Sequence, residues 1–373
     1  MRKIAVSQVD TFFVNGLYPI EFLLYYPKRI DADAIRNGLK ELAKPFWPLF
    51  GNYKNGWIES ADYREADCLS EETLNTEFDT SAPHASIFTQ FSAANPAVLP
   101  RLFFLKIIHL RNGSLLVPKM NHLAGDGYSY FFFLTCLARF THNRHQPLKR
   151  LTDRILFRPR HRRTAVSRFM FTAQPPVSPS PPVLHGMEIM RLPRYEIRQQ
   201  IKEIQSQTGQ AVSTNDLLCA LILQKLVVKQ AGSPPEFRLT IPIDVRRMVR
   251  VYGSRFFGNA LQFQVVKFTT ADLSDESTTD IARTIRKAMP QITLSSYRQY
   301  LADIERIIAE QKYDRLRPFD PESGCLVTNL ARLPVQQLDF GGGQPDLAVP
   351  LTVEQNSAAI LSDADNYLLR LAY

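Results

Sequence analysis

The sequence predicts a mixed α/β or α+β protein in two lobes, and three observations carry that expectation. Strand and helix patterns alternate irregularly, without the βαβ rhythm of a doubly wound sheet and with no G-x-G-x-x-G or P-loop pattern. The chain has 373 residues, where one domain takes roughly 150. A proline- and arginine-rich stretch parts the patterned halves, giving an N-terminal lobe at 1–143, a crossover at 144–193 and a C-terminal lobe at 194–373.

Asp31 is placed to cap a helix over 31–43, in which Ile35, Leu39 and Leu42 share one face. Leu102–His109 and Ser114–Met120 read as strands flanking Asn112-Gly113, a favoured hairpin turn, and deliver the chain to Asn121-His122. The apolar, glycine-free run Tyr128–Phe140 reads as a buried helix. Beyond the crossover, helices are expected at Tyr195–Thr208, stopped by Gly209, and at Asn215–Gln230, introduced by Ser213-Thr214. Strands are expected at Phe237–Ile243, Leu261–Phe268, Cys325–Thr328 and Tyr367–Leu371, with further helices near 278–289 and 297–311.

At 45% hydrophobic and 22% charged residues, the composition excludes disordered and fibrous classes. The formal charge is +9, but residues 141–170 hold nine cations against the single anion Asp153, so the rest of the chain is close to neutral. A charge so localised argues against nucleic-acid binding over an evenly basic surface. Cys68, Cys136, Cys219 and Cys325 are far apart with no C-x-x-C pair, which points to buried thiols instead of disulfides or zinc ligands. The first residues carry no signal-peptide pattern, and the apolar runs fall short of the ~20 residues that cross a bilayer. A cytoplasmic protein with no membrane span is expected, and no metal.

The segment Asn121-His122-Leu123-Ala124-Gly125-Asp126-Gly127 sits where a strand passes into a helix, so rigid elements can present its side chains to a cleft. A neutral imidazole there can take a proton from a hydroxyl, amine or thiol near pH 7. Asp126 is most simply a carboxylate that fixes the loop through an arginine, and Gly127 leaves space beside the imidazole. The competing reading is a His122 that only satisfies backbone groups at a turn.

His122, Asp126 and Gly127 meet the HxxxDG motif, and Asp339-Phe340-Gly341-Gly342-Gly343 matches DFGWG in four of five positions. With these, the chain resembles the BAHD acyltransferases, which share a superfamily with chloramphenicol acetyltransferase and peptide-synthetase condensation domains. Four further landmarks occur in the family's order: Phe46-Trp47-Pro48-Leu49-Phe50-Gly51, Ser213 to Leu218, Ile243 to Arg247 with the Phe257-Gly258-Asn259 stretch, and Val327 to Pro334. The resemblance covers nearly the whole chain. It implies a chloramphenicol acetyltransferase-like fold of two lobes, each a mixed β-sheet covered by helices, with a channel between them.

The resemblance further implies that an acyl group passes from a coenzyme A thioester to a hydroxyl or amine of a small molecule. His122 would be the general base in a ternary complex, without a covalent acyl-enzyme and with no bound cofactor beyond the acyl-CoA co-substrate. Thr328, with Asn329 beside it, is the oxyanion candidate, and Ser213, Thr214, Arg158 and Arg160 are candidates for holding coenzyme A. Asp126, Gly127, Asp339 and Arg246 are expected to be structural, with Asp339 pairing to Arg246. Two departures stand out: Gly342 replaces Trp, and Leu330 stands where many members have Trp.

Two neighbouring readings remain at this level: an acyl carrier protein as donor, as in condensation domains, and a non-catalytic binding descendant of the fold. The basic 141–170 segment would be a solvated linker, a contact for the phosphates of coenzyme A, or a docking surface for an acidic carrier. The protein is expected to act as a monomer.

Overall fold

A computed structural model describes residues 2–6, 10, 19–54, 56–142, 156–157, 184–229, 235–254, 256–310, 312 and 319–373. Arg158, Arg160 and most of the basic 141–170 segment lie outside the described residues.

Two mixed sheets organise the chain. The first has five strands in the order Leu347–Pro350, Pro19–Tyr26, Gly113–Asn121, Phe103–Leu110 and Leu69–Thr73. The last pair is parallel and the others antiparallel. The second has six strands in the order Leu261–Thr269, Glu236–Asp244, Gly324–Asn329, Ser357–Ser362, Asn366–Ala372 and Met187–Pro193. In it the two pairs made by Gly324–Asn329 are parallel and the rest antiparallel.

Local sequence accounts for most elements. The Ala32–Leu42 helix starts where the Asp31 carboxylate accepts from Ala34 N at 2.8 Å, and it buries Ile35, Leu39 and Leu42. The hairpin of Phe103–Leu110 and Gly113–Asn121 turns through Arg111-Asn112, one residue earlier than expected because Gly113 already pairs with Leu110, and Arg194–Thr208 stops at left-handed Gly209. The Gly127–His142 helix packs Phe131 and Phe133 into the first lobe. There Phe133 meets Phe46 and Phe103 edge-on at ring distances of 5.0 and 4.8 Å.

Several strands escaped the sequence pattern. Pro19–Tyr26 is an inner strand buried along almost all its length, so apolar residues fill both faces and no alternation shows. Four of the six residues of Ser357–Ser362 are alanine or serine, and the strand is held by neighbours on both sides. Met187–Pro193 falls inside the stretch read as crossover, yet it forms the edge of the six-stranded sheet. Leu347–Pro350, far into the C-terminal half, completes the sheet of the N-terminal lobe by pairing with Phe22–Tyr25.

The lobes therefore interlock. Phe257 and Phe340, both from the C-terminal half, belong to the N-terminal core. Phe257 meets Phe46 at 5.3 Å, and Phe340 meets Tyr26 edge-on at 6.2 Å. Tyr26 Oη donates to Leu338 O at 2.8 Å, and Asp31 N donates to Phe340 O at 3.1 Å.

Asp339 does not pair with Arg246. Its Oδ1 accepts from Gly341 N at 2.8 Å and Gly343 N at 3.0 Å, closing a loop in which both glycines take left-handed backbone, φ 88° and 89°. Arg246 is committed elsewhere, as described below. Gly342 is buried against Lys28 and Ile30, where an added Cβ would sit 3.1 Å from Lys28 O and 3.2 Å from Ile30 Cγ2. The missing Trp thus leaves no gap: the loop backbone itself closes on the first lobe. Restoring the family residue by Gly342→Trp should cost about 1–3 kcal/mol through overpacking, read as a lowered midpoint of thermal unfolding. An unchanged or raised midpoint would mean that the loop can open without loss.

Candidate active site

A cavity of about 1500 Å³ is walled by both lobes. Pro19, Phe22, His122, Asp126, Gly127 and Tyr128 line it from the first lobe. Ser213, Thr214, Asp244, Arg246, Thr328 and Asn329 line it from the second. His122 stands at the end of the Gly113–Asn121 strand, on a short turn whose start is held by Asn121 Oδ1 accepting from Leu123 N at 3.0 Å.

The imidazole is oriented from the other lobe. Asn259 Nδ2 donates to Asp10 Oδ1 at 2.9 Å and to His122 O at 2.8 Å, which turns the amide oxygen towards the ring. Nδ1 of His122 therefore carries the proton and donates to Asn259 Oδ1 at 3.1 Å, and the lone pair resides on Nε2. Burial pushes the imidazole below its ordinary pKa of 6.5. The charge of Asp126, the His122 carbonyl, Asn259 and Asp10 act the other way without cancelling it. The ring is neutral at pH 7 and able to accept a proton.

Asp126 has a different task. Its Oδ1 accepts from Ser129 N at 3.0 Å and Arg246 Nη2 at 2.9 Å, and its Oδ2 accepts from Arg246 Nη1 at 2.7 Å and Ala260 N at 3.0 Å. Burial raises its pKa, but the Arg246 guanidinium and the two backbone N–H groups outweigh this and hold the carboxyl below the usual range. With both oxygens occupied, Asp126 braces the loop and is not available to shuttle protons.

Arg246 spends its guanidinium on the same junction. Nη1 also reaches Asp244 Oδ1 at 3.1 Å, while Nη2 reaches Ser129 Oγ and Gly258 O at 3.1 and 2.9 Å. The group lies over the Tyr128 ring, 4.5 Å from its centroid. An added Cβ at Gly127 would meet nothing within 4 Å, so this glycine keeps the space at the cavity wall open.

The remaining candidates divide. No described residue bonds the Thr328 hydroxyl, and Thr328 lines the cavity. Asn329 is engaged: its Nδ2 donates to Asn215 Oδ1 at 2.8 Å and its Oδ1 accepts from Ala331 N at 3.1 Å. Ser213 is spent as a helix cap, since Asp216 N donates to its Oγ at 3.3 Å and its own N donates to Asp216 Oδ2 at 2.7 Å. Thr214 lines the cavity at the first position of that helix. Asp216 in turn pairs with Arg286, through Nε at 2.6 Å. Asn259, Asp10 and Ser129 also belong to the site, beyond the residues the motifs mark. The first belongs to the Phe-Gly-Asn stretch, and the other two carry no signal in the chain. His109 is a satisfied core histidine, bonded to Ser114 Oγ and Glu71 Oε1 at 3.0 Å each.

A family model for the transferase family matches residues 65–366. The chain belongs to this family, the BAHD acyltransferases. It is accordingly an acyl-CoA-dependent O- or N-acyltransferase. Among curated proteins it is similar to anthranilate N-benzoyltransferase protein 2 of Dianthus caryophyllus, at 24% identity over 352 residues, 84% of this chain and 76% of the relative. Its fold is that of TRI101 of F. sporotrichioides, solved with coenzyme A and T-2, at a TM-score of 0.72 and 14% identity over 99% of this chain and 94% of that one. Vinorine synthase is similar at a TM-score of 0.71 and 17% identity, over 100% and 90% of the two chains. Among the described residues no helix is long and apolar enough to cross a membrane, and no cluster of three metal-ligating side chains occurs.

Removing one member of the buried ion pair, as in Asp126→Asn or Arg246→Met, should cost about 3–5 kcal/mol because the other charge is left uncompensated. Chemical denaturation measures this. A loss below about 1 kcal/mol would mean that the pair does not hold the lobes together.

Proposed function

We propose that His122 is the general base of a direct transfer, in which acceptor and acyl-CoA occupy the cavity together. Its Nε2 takes the proton of an acceptor O–H or N–H as that atom attacks the thioester carbonyl carbon. The carbonyl π electrons move to oxygen, and the Thr328 hydroxyl donates to the developing O⁻. When the tetrahedral species collapses, the C–S bond breaks and the coenzyme A thiolate leaves with the proton held by the imidazolium. No bond to the enzyme forms at any stage.

The observation that carries this reading is the fixed Nδ1–H tautomer, which puts the lone pair of a neutral imidazole on Nε2 of a residue lining the cavity. Asn259 is a positioning residue in this scheme; Asp126, Arg246 and Asp339 hold the surrounding loops. The Dianthus relative's name, anthranilate N-benzoyltransferase, supports an aromatic amine as one acceptor class and a benzoyl thioester as one donor. Both walls of the cavity come from a single chain, so a monomer suffices. The four cysteines are free and buried, which fits the reducing cytoplasm. The carrier-protein reading rests on the basic segment, most of which lies outside the described residues.

His122→Ala should lower kcat by roughly 10²–10⁴-fold with an unchanged unfolding midpoint, measured as thiol release from a panel of acyl-CoA esters; full activity would remove the general-base role. Thr328→Val should lower kcat by roughly 10²–10³-fold with little change in KM. The depressed pKa of His122 places the acid limb of kcat/KM below 6.5. Activity should therefore persist into mildly acidic buffer and fall only as pH drops through that lowered value. A limb at or above 6.5 would count against His122 as the titrating base.

A further inference from the structure

Arg370 is a cavity residue that the transfer reaction leaves unused. It lies on the Asn366–Ala372 strand, is 4% exposed, and lines the same cavity as His122. Nη1 donates to Pro350 O at 2.6 Å and Nη2 to Thr352 O at 3.0 Å. Nε is buried and has no partner among the described residues. Two of the five N–H groups of a guanidinium are thus used, both on neutral carbonyls.

No carboxylate among the described residues pairs with it. Arg246 and Arg286, which line the same cavity, are matched by Asp126 and Asp216. The Arg370 guanidinium has only burial acting on it, which presses its pKa down to about 10. Its field is felt nearby: burial first, then the charges of Arg370 and Arg191, push the His84 imidazole down to about 4, and His84 Nδ1 is also buried without a described partner. A buried cation is costly without a counter-charge; none is present among the described residues, and an anion would supply it.

We propose that Arg370 is the anion-recognition residue of the acceptor subsite, and that the acceptor carries a carboxylate. A planar fork with three N–H groups to spare matches a two-oxygen anion in bidentate fashion. Full burial favours a singly charged carboxylate over the more heavily hydrated phosphates of coenzyme A. The sheet sets the scale. Pro19 pairs with Asn121, next to His122, and Phe22 pairs with Pro350, whose carbonyl holds Arg370. Two strand spacings of about 4.8 Å across and three residues of about 3.3 Å along separate Asn121 from Pro350 by roughly 14 Å. With both side chains reaching the cavity, the span left between them suits a small aromatic or short-chain acid.

The inference rests on the acyl-transfer reading, and its test separates the two. Calorimetric titration of the full chain with para-aminobenzoate and with para-aminobenzamide should show the acid bound roughly 10- to 100-fold more tightly, the range of hydrogen bonds to charged groups. Arg370→Met should erase that difference while leaving amide affinity unchanged. Arg370→Lys, which keeps the charge and a donor for the carbonyls, should retain part of it and guards against a Met variant that fails to fold. Equal binding of acid and amide, no binding of either, or indifference to both substitutions would overturn the assignment. So would competition by coenzyme A at Arg370, seen as weaker coenzyme A binding in Arg370→Met with no effect on the acid. In turnover with benzoyl-CoA, the acid preference should appear in KM and not in kcat. Turnover of the amide with no acid preference would leave the transferase chemistry standing and remove the Arg370 subsite. Acid binding through Arg370 without transfer from any acyl-CoA would do the reverse.

Discussion

The bidentate pair of Asp126 and Arg246 is the contact on which the rest of the site depends. It joins the loop after the Gly113–Asn121 strand to the loop after the Glu236–Asp244 strand, with both partners almost fully buried. Two desolvated charges are tolerated only when every lone pair and N–H finds a partner. Here the surrounding groups comply: Ser129 and Ala260 N–H for the carboxylate, Gly258 O, Ser129 Oγ and Asp244 for the guanidinium. Satisfying them fixes the Gly258–Ala260 backbone against the start of the Gly127–His142 helix. That in turn delivers Asn259 to the His122 ring.

The same economy governs the two lobes. The C-terminal half does not merely dock on the N-terminal half; it supplies Phe257 and Phe340 to that core and the Leu347–Pro350 strand to that sheet. Apolar side chains inserted across a boundary are not easily withdrawn, so the walls of the cavity are set relative to each other by packing as well as by the ion pair. The Asp339 loop belongs to this packing. Its Oδ1 takes the glycine N–H groups that shape the turn, while Arg246 is committed to Asp126, Asp244, Ser129 and Gly258.

Much of this was legible before any fold was known. The 3.6-residue periodicity of 31–43, the Asn112-Gly113 turn and the Gly209 stop each rest on local chemistry, and each holds within a residue or two. His122, Asp126 and Gly127 were legible because a strand-to-helix junction carries the motif. The inner strand Pro19–Tyr26 was not, since burial on both faces erases the alternation that marks a strand. Nor do the roles of Asn259, Asp10 and Arg370 show in the chain. An amide, an aspartate and an arginine in apolar or mixed surroundings look alike in a sequence whether they face solvent, a cavity or an imidazole.

By itself, then, the sequence determined local elements, the transfer chemistry implied by its motif residues, and the presence of a bracing carboxylate at Asp126. Only the tertiary structure decided which arginine meets that carboxylate, which tautomer His122 adopts, and which buried cation has no carboxylate partner among the described residues. The reason is physical. Periodicity, caps and turns are short-range, whereas a salt bridge 120 residues long in the chain, a tautomer set by Asn259 137 residues away, and a counter-charge deficit are properties of proximity in space.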